Sequence, residues 1–214
     1  MKLEYKIENL TKYETIKAIL KEEFFMSERL IAKLKNSKQI YINNEPVYIN
    51  YQLKIGDLLT VDIDFIENND NIVPTKMDLN ILFEDDSLLI IDKPAGIPVH
   101  PSMDHYLDSL SNGVKYYLNS INLNKKIRPV NRLDKNTSGI VIFSKNQYIQ
   151  ECLIKQMKND LFVKEYFAIV SGKFENDHQL INAPIARKEN SIIERCVCDN
   201  RWKRCYYCRT NKKI

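Results

Sequence analysis

No apolar run in the sequence approaches the ~18 residues that a membrane-crossing helix needs, so no membrane span is expected. The N-terminus interleaves acidic and basic residues without an apolar h-region, which argues against a secretory signal and makes the cytoplasm the expected location. Histidine is scarce, three in 214 residues, and the spacing of His100 and His105 matches no metal-binding helix. No acidic or cysteine partner is expected to join them, so no metal is expected. Internal repeats at solenoid spacing are absent, as is low complexity beyond one Asn-rich patch near residue 70. Neither sign of charge dominates: a formal charge of +4 permits a polyanionic partner without requiring one. What is there, 28% charged and 44% hydrophobic residues, suits a soluble globular chain of one large or two small domains.

Residues 1–70 read as a small domain. Ile16, Ile19 and Leu20 form a helical stripe. Ser27 is placed to cap a second helix with Leu30, Ile31 and Leu34 inward and Met26 stapled against Ile31. That leaves Arg29, Lys33, Lys35 and Lys38 largely outside. Short β-runs follow: 39–43, a turn at Asn44-Glu45-Pro46, 47–50, a turn at Gly56-Asp57, and 59–65, where Val61, Ile63 and Phe65 alternate with polar residues. Residues 71–78, ending a polar stretch interrupted by Pro74, have linker composition.

The second part opens with a hairpin, 79–84 and 88–92 around Asp85-Asp86-Ser87, and continues into a Pro-stiffened loop, Asp92 to Ser102. Helical spacing of Leu107, Leu110, Val114, Tyr117 and Leu118 predicts a helix over 107–118 despite Gly113. A further helix is expected over 146–159, with Ile149, Cys152, Leu153 and Met157 buried, and then a strand, V-K-E-Y-F-A-I-V-S-G, over 163–172.

Between these helices lies the most informative stretch, I-R-P-V-N-R-L-D-K-N-T-S-G-I-V-I-F-S-K, residues 127–145. Asn136 to Gly139 form a turn and Ile140 to Phe143 a strand, which puts Asp134 on a loop at a strand's mouth between Arg132 and Lys135. A carboxylate there can meet a ligand. In an arbitrary R-x-D-K it would more often pair with the arginine on the surface or cap the turn.

The run R-L-D-K-N-T-S-G-I-V-I, residues 132–142, resembles the catalytic motif of the RluA family of RNA pseudouridine synthases, R-L-D-x-x-T-S-G-L followed by an apolar strand and a lysine. The resemblance implies that Asp134 is the catalytic aspartate, and that Arg132, Tyr166, Asn131 and Lys135 contact the RNA or the target base. Two shorter matches accompany it. The loop from Lys93 resembles the family's K-P-x-G-x-x-V-H-P segment, which supports the aspartate loop, and residues 164–172 match K-x-Y-x-A-x-V-x-G, with Tyr166 as the base-contacting ring. His100 and His105 read as structural or RNA-facing. Residues 13–65 resemble the S-four-like RNA-binding domain, which makes Arg29, Lys33, Lys35 and Lys38 an expected phosphate-holding face. On charge alone those side chains could equally be a solvated face.

Toward the end, Cys196, Cys198, Cys205 and Cys208 form C-x-C and C-x-x-C pairs that could hold zinc, but Trp202, Tyr206 and Tyr207 crowd them and the preceding residues follow the family, so no metal is assigned. The family pattern breaks near Asn200, so residues 79–200 are expected to be the N-terminal part of the catalytic domain and 201–214 an aberrant basic tail of a truncated or frameshifted chain. The expected fold is α+β: an S-four-like RNA-binding domain followed by an incomplete pseudouridine synthase catalytic domain with a mixed, mainly antiparallel sheet.

The implied function is isomerisation of uridine to pseudouridine in RNA, ribosomal RNA by the resemblance. The resemblance implies an isomerase of the intramolecular transferase class, expected to act as a monomer and to need no cofactor. The activity of the chain as it stands is in doubt if the second half of the catalytic domain is missing. A non-catalytic RNA-binding protein is the alternative, and a glycoside hydrolase ranks last because the motif offers one carboxylate where two are needed.

Overall fold

Hydroxyl side chains start the N-terminal helices by satisfying their first free amides. Thr15 Oγ1 accepts from Ala18 N at 3.1 Å and Ser27 Oγ from Leu30 N at 3.2 Å. They open α1 (Ile16–Ala18), which runs on as a π-helical turn over Ile19–Glu23, and α2 (Glu28–Ser37). Lys38, in the left-handed region at φ 55°, ends α2. The structure is a computed structural model that describes residues 1–65, 67, 71–159, 161–172, 178–179, 185–188, 190–191, 194–197 and 210–211. Two compact units divide the chain, Met1–Lys164 and Glu165–Ile214, so the boundary expected at 71–78 falls inside the first.

In the first unit, β1 (Lys2–Lys6), β2 (Ile40–Ile42), β3 (Glu45–Pro46) and β4 (Leu58–Asp62) form an antiparallel sheet in the order β1-β4-β2-β3. Ile16, Ile19, Leu20, Leu30, Ile31 and Leu34 meet Ile40, Ile42, Leu59, Val61, Ile63 and Phe65 in one buried core, with Met26 beside Ile31 as the staple requires. Two expectations need correction. The hairpin turn is Asn43-Asn44, both at positive φ (50° and 71°), the pattern of a tight two-residue hairpin. The strand expected over 47–50 reduces to one further ladder bond, Val47 N to Ile40 O at 2.9 Å, after Glu45–Pro46. β1, for which the sequence raised no expectation, pairs with β4 along its whole length.

A second core lies over the antiparallel sheet β5 (Asn80–Glu84), β6 (Leu88–Lys93) and β7 (Gly139–Ser144). Among the described strands every pairing is antiparallel, where a mixed, mainly antiparallel sheet was expected. Leu89, Ile91, Val141 and Phe143 pack on Leu110, Val114 and Leu118 of α3 (Leu110–Ser120). That helix starts at Leu110 because Ser109 and Asn112 form a capping box, which leaves Leu107 outside it and exposed. Gly113 has a reason: a Cβ there would lie 3.0 Å from Met77 Cβ and 3.1 Å from Leu79 Cδ2. Residues 73–79 are thus laid along α3, and Asn112 Nδ2 donates to Val73 O at 2.7 Å. Capped by Asn146, α4 (Gln147–Lys158) runs as predicted, but its stripe of Ile149, Cys152, Leu153 and Met157 is only half-buried. Tyr148 packs on the first core instead, and Glu151 accepts from Ser27 Oγ at 2.9 Å, so α4, which follows β7 in the chain, docks on the first core.

Residues 163–172 carry no strand, contrary to expectation, and Phe167 and Ile169 are fully exposed. A strand is held by ladder bonds, and no described segment pairs with this run. In the second unit, β8 (His178–Gln179) pairs with β11 (Thr210–Asn211), and β9 (Ile185–Arg187) with β10 (Arg195–Val197). Cys196 is half-buried on β10, while Cys198, Cys205, Cys208 and most of the basic tail lie outside the described residues.

Candidate active site

Arg128 to Asn131 run beside β7 as an extra edge: Ser144 N donates to Arg128 O at 2.9 Å and Val130 N to Ile142 O at 2.7 Å. Where the backbone pairing ends, the Asn131 side chain replaces it. Its Nδ2 donates to Ile140 O and its Oδ1 accepts from Ile142 N, both at 2.9 Å. Asn131, expected to contact substrate, therefore has both ends of its amide engaged by β7. Its work here is to hold the root of the loop.

From Arg132 the chain loops out, is closed by Thr137 N donating to Asp134 O at 3.1 Å, and re-enters β7 through Gly139 at φ 124°, a conformation suited to glycine. Leu133 packs against the second core, so its neighbours Arg132 and Asp134 both face solvent. Among the described residues, the Asp134 carboxylate accepts no hydrogen bond and makes no ion pair, with Arg132 or any other group. Neither a surface pair nor a turn cap accounts for it. It is an anion held out on an anchored loop.

The anchor is a residue that sequence reasoning did not single out. Lys93, at the end of β6, is 0% exposed, and its Nζ donates to Pro94 O (2.8 Å), Ile97 O (2.9 Å) and Lys135 O (3.1 Å). Gly96 N also donates to Lys135 O, at 2.8 Å. One buried ammonium thus ties the Pro-rich loop to the residue after Asp134. Burial lowers its pKa, against the pull of the Asp134 carboxylate. The strand pattern holds the signal that could have found it: inward positions Leu89 and Ile91 continue, at period two, to Lys93.

The other expected residues divide. Lys135 is exposed, and its carbonyl rather than its ammonium carries the loop contacts. Desolvation of the His100 ring lowers its pKa and the positive charge of Arg132 adds to the shift, although the residue as a whole is exposed. His100 Nδ1 meets Ser111 Oγ at 3.3 Å. His105 does have an acidic partner, Asp108 at 2.8 Å, three residues on and overlooked in the sequence. Tyr166 is exposed, in the second unit. Of the N-terminal cations, Arg29, Lys35 and Lys38 are exposed, whereas Lys33 is half-buried, 2.5 Å from Glu67 and 3.8 Å over the Phe65 ring.

The profile of the RNA pseudouridylate synthase family matches residues 87–213, a span that contains the whole aspartate loop. Curated relatives agree. The chain is 34% identical over 180 residues to "Uncharacterized RNA pseudouridine synthase YhcT" of Bacillus subtilis (strain 168), covering 84% of this chain and 59% of that protein. It is 32% identical over 179 residues to "Ribosomal large subunit pseudouridine synthase D" of Blochmanniella floridana, covering 77% and 55%. It is 30% identical over 159 residues to "tRNA pseudouridine(32) synthase, mitochondrial" of Saccharomyces cerevisiae, covering 74% and 32%. The chain spans about half to three-fifths of the length of the first curated relatives it matches.

Proposed function

The chain belongs to the RNA pseudouridylate synthase family, and from that membership we propose that the protein isomerises uridine to pseudouridine in RNA, with Asp134 as the catalytic residue. The observation that carries this reading is the unpaired, outward-facing Asp134 carboxylate on a loop anchored by Leu133 and by the Lys93 ammonium. Such a support fixes a reacting group while leaving it open to a large substrate.

The reaction breaks the bond between the ribose carbon and the uracil ring nitrogen and joins carbon five of the base to the same sugar carbon. A proton leaves carbon five and one is taken up at the ring nitrogen, so atoms balance with no redox partner. A uridine stacked in RNA must first be extruded, at a few kcal/mol, and Arg132, exposed two residues before Asp134, is the group we place in the vacated space. Asp134 then serves as nucleophile at the sugar carbon or as base for the neighbouring sugar proton. Tyr166 is the proposed ring against the base.

We read the N-terminal core as an S-four-like RNA-binding module with Arg29, Lys35 and Lys38 outward, and ribosomal RNA as the substrate, in keeping with the relative named for the large ribosomal subunit. A cytoplasmic monomer is the working form. Asp134→Asn is expected to abolish pseudouridine formation while leaving RNA affinity unchanged. Pseudouridine mapping of RNA treated with each protein checks this, and undiminished modification by the variant would remove Asp134 from the mechanism.

A further inference from the structure

The sequence places Lys125, Lys126 and Arg128 just before the aspartate motif, and the fold carries them to the first core. Lys125 pairs with Asp64, and Arg128, though only 7% exposed, places Nη2 2.6 Å from Glu67 Oε1 while Nη1 donates to Lys126 O at 3.2 Å. Glu67 also takes Lys33 of α2. A cleft of about 560 Å³ opens here, with Arg29, Lys33 and Asn36 of α2 on one wall and Lys126 and Arg128 on the other.

Its charge is lopsided. Among the described lining residues four cations face a single carboxylate, in a chain whose charges otherwise nearly balance. Glu67 is shared by Lys33 and Arg128, the two cations set deepest, which leaves the exposed Arg29 and Lys126 on opposite walls without a carboxylate among the described lining residues. Cations on facing walls of one cleft repel unless an anion lies between them. Arg128 is also the residue from which the β7-edge strand runs directly to Asp134, so an anion held here has a fixed relation to the aspartate loop.

We propose that this cleft between α2 and residues 126–128 binds the phosphodiester backbone of the RNA, with Arg29 and Lys126 as the gripping pair and Lys33, Glu67 and Arg128 as the rigid floor. The inference rests on the reading of the protein as RNA-acting and adds a site to it. The first core then does more than add affinity: it sets the strand's register on the second core, because one phosphate run touches both.

The test is equilibrium binding of a short labelled RNA stem-loop to the intact chain carrying Asp134→Asn, which needs no turnover. Arg29→Gln and Lys126→Gln, both at exposed positions, are expected to weaken binding roughly fivefold each. Each should also flatten the plot of log affinity against log salt by about 0.7–0.9, the slope that one neutralised phosphate supplies. Lys54→Gln, an exposed lysine outside the cleft, controls for general charge and should change neither by as much. Unchanged affinity and slope in the Arg29→Gln/Lys126→Gln double variant would overturn the proposal. If the chain bound RNA with none of these proteins, the RNA-acting reading itself would fail, a result distinct from that one.

Discussion

At the scale of residues, the aspartate loop and the Pro-rich loop that begins at Lys93 meet through one buried ammonium. Asp134 stands out in the sequence because R-L-D-K-N-T-S-G is a contiguous motif, and the loop from Lys93, about forty positions before it, is expected from its own motif to support it; what the sequence leaves unread is the burial of Lys93 itself. Three carbonyl acceptors bury it, and such acceptors leave no mark in a sequence. At Asn131, a motif position expected to meet the ligand, the amide completes a sheet edge. Lys93→Met is expected to keep the buried volume but leave the Pro94 and Ile97 carbonyls without their donor and Lys135 O with the Gly96 amide alone, costing about 1–3 kcal/mol. Urea unfolding measures that. Hydrogen exchange at the Gly96 amide, which donates to Lys135 O, should speed up in the variant, and unchanged protection there would show that the lysine does not hold the two loops together.

At the scale of elements, helices were read better than strands, for a physical reason. A helix carries its caps and its stripe within its own sequence, as Ser27 and Leu30-Ile31-Leu34 do, so α2 and α4 fall where expected. A strand needs a neighbour, and 163–172 have the alternation of a strand without any described segment to pair with. The half-buried stripe of α4 and the exposure of Leu107 likewise depend on what lies opposite. Gly113 in α3 makes the distinction measurable. Helix propensity alone predicts that Gly113→Ala stabilises by about 1 kcal/mol. The backbone-near Met77 Cβ at 3.0 Å opposes it, and overpacking of this kind costs about 1–3 kcal/mol, so the expected result is a net loss in denaturant unfolding. A gain in stability would mean that residues 73–79 are held only weakly on the helix.

At the scale of the whole first unit, what joins its two cores is ionic and partly buried, and that makes the join sensitive to acid. Glu67 has a lowered pKa: burial opposes the shift, and the hydrogen bonds from Arg128 and Lys33 outweigh it. The direction decides the pH range. A carboxylate whose folded pKa lies below its unfolded value, about 4.3 for glutamate, contributes stability that is complete above that value and is lost as pH falls through the folded pKa. Asp64, lowered in the same sense by Lys125 against its own desolvation, adds little, because its side chain is 44% exposed and the pair is screened. Glu67 at 11% and Arg128 at 7% are not screened in that way, and removing the carboxylate leaves a buried guanidinium with a weaker acceptor. Glu67→Gln is therefore expected to melt several degrees lower at neutral pH, and the gap to the unmodified protein should narrow as pH falls from the unfolded glutamate value through the lower folded pKa of Glu67. Thermal melts of both proteins from neutral pH downward give the curve. A gap that stayed constant down to the acid limit of folding would show that the glutamate acts by shape and hydrogen bonding alone, and that charge does not hold the two cores together.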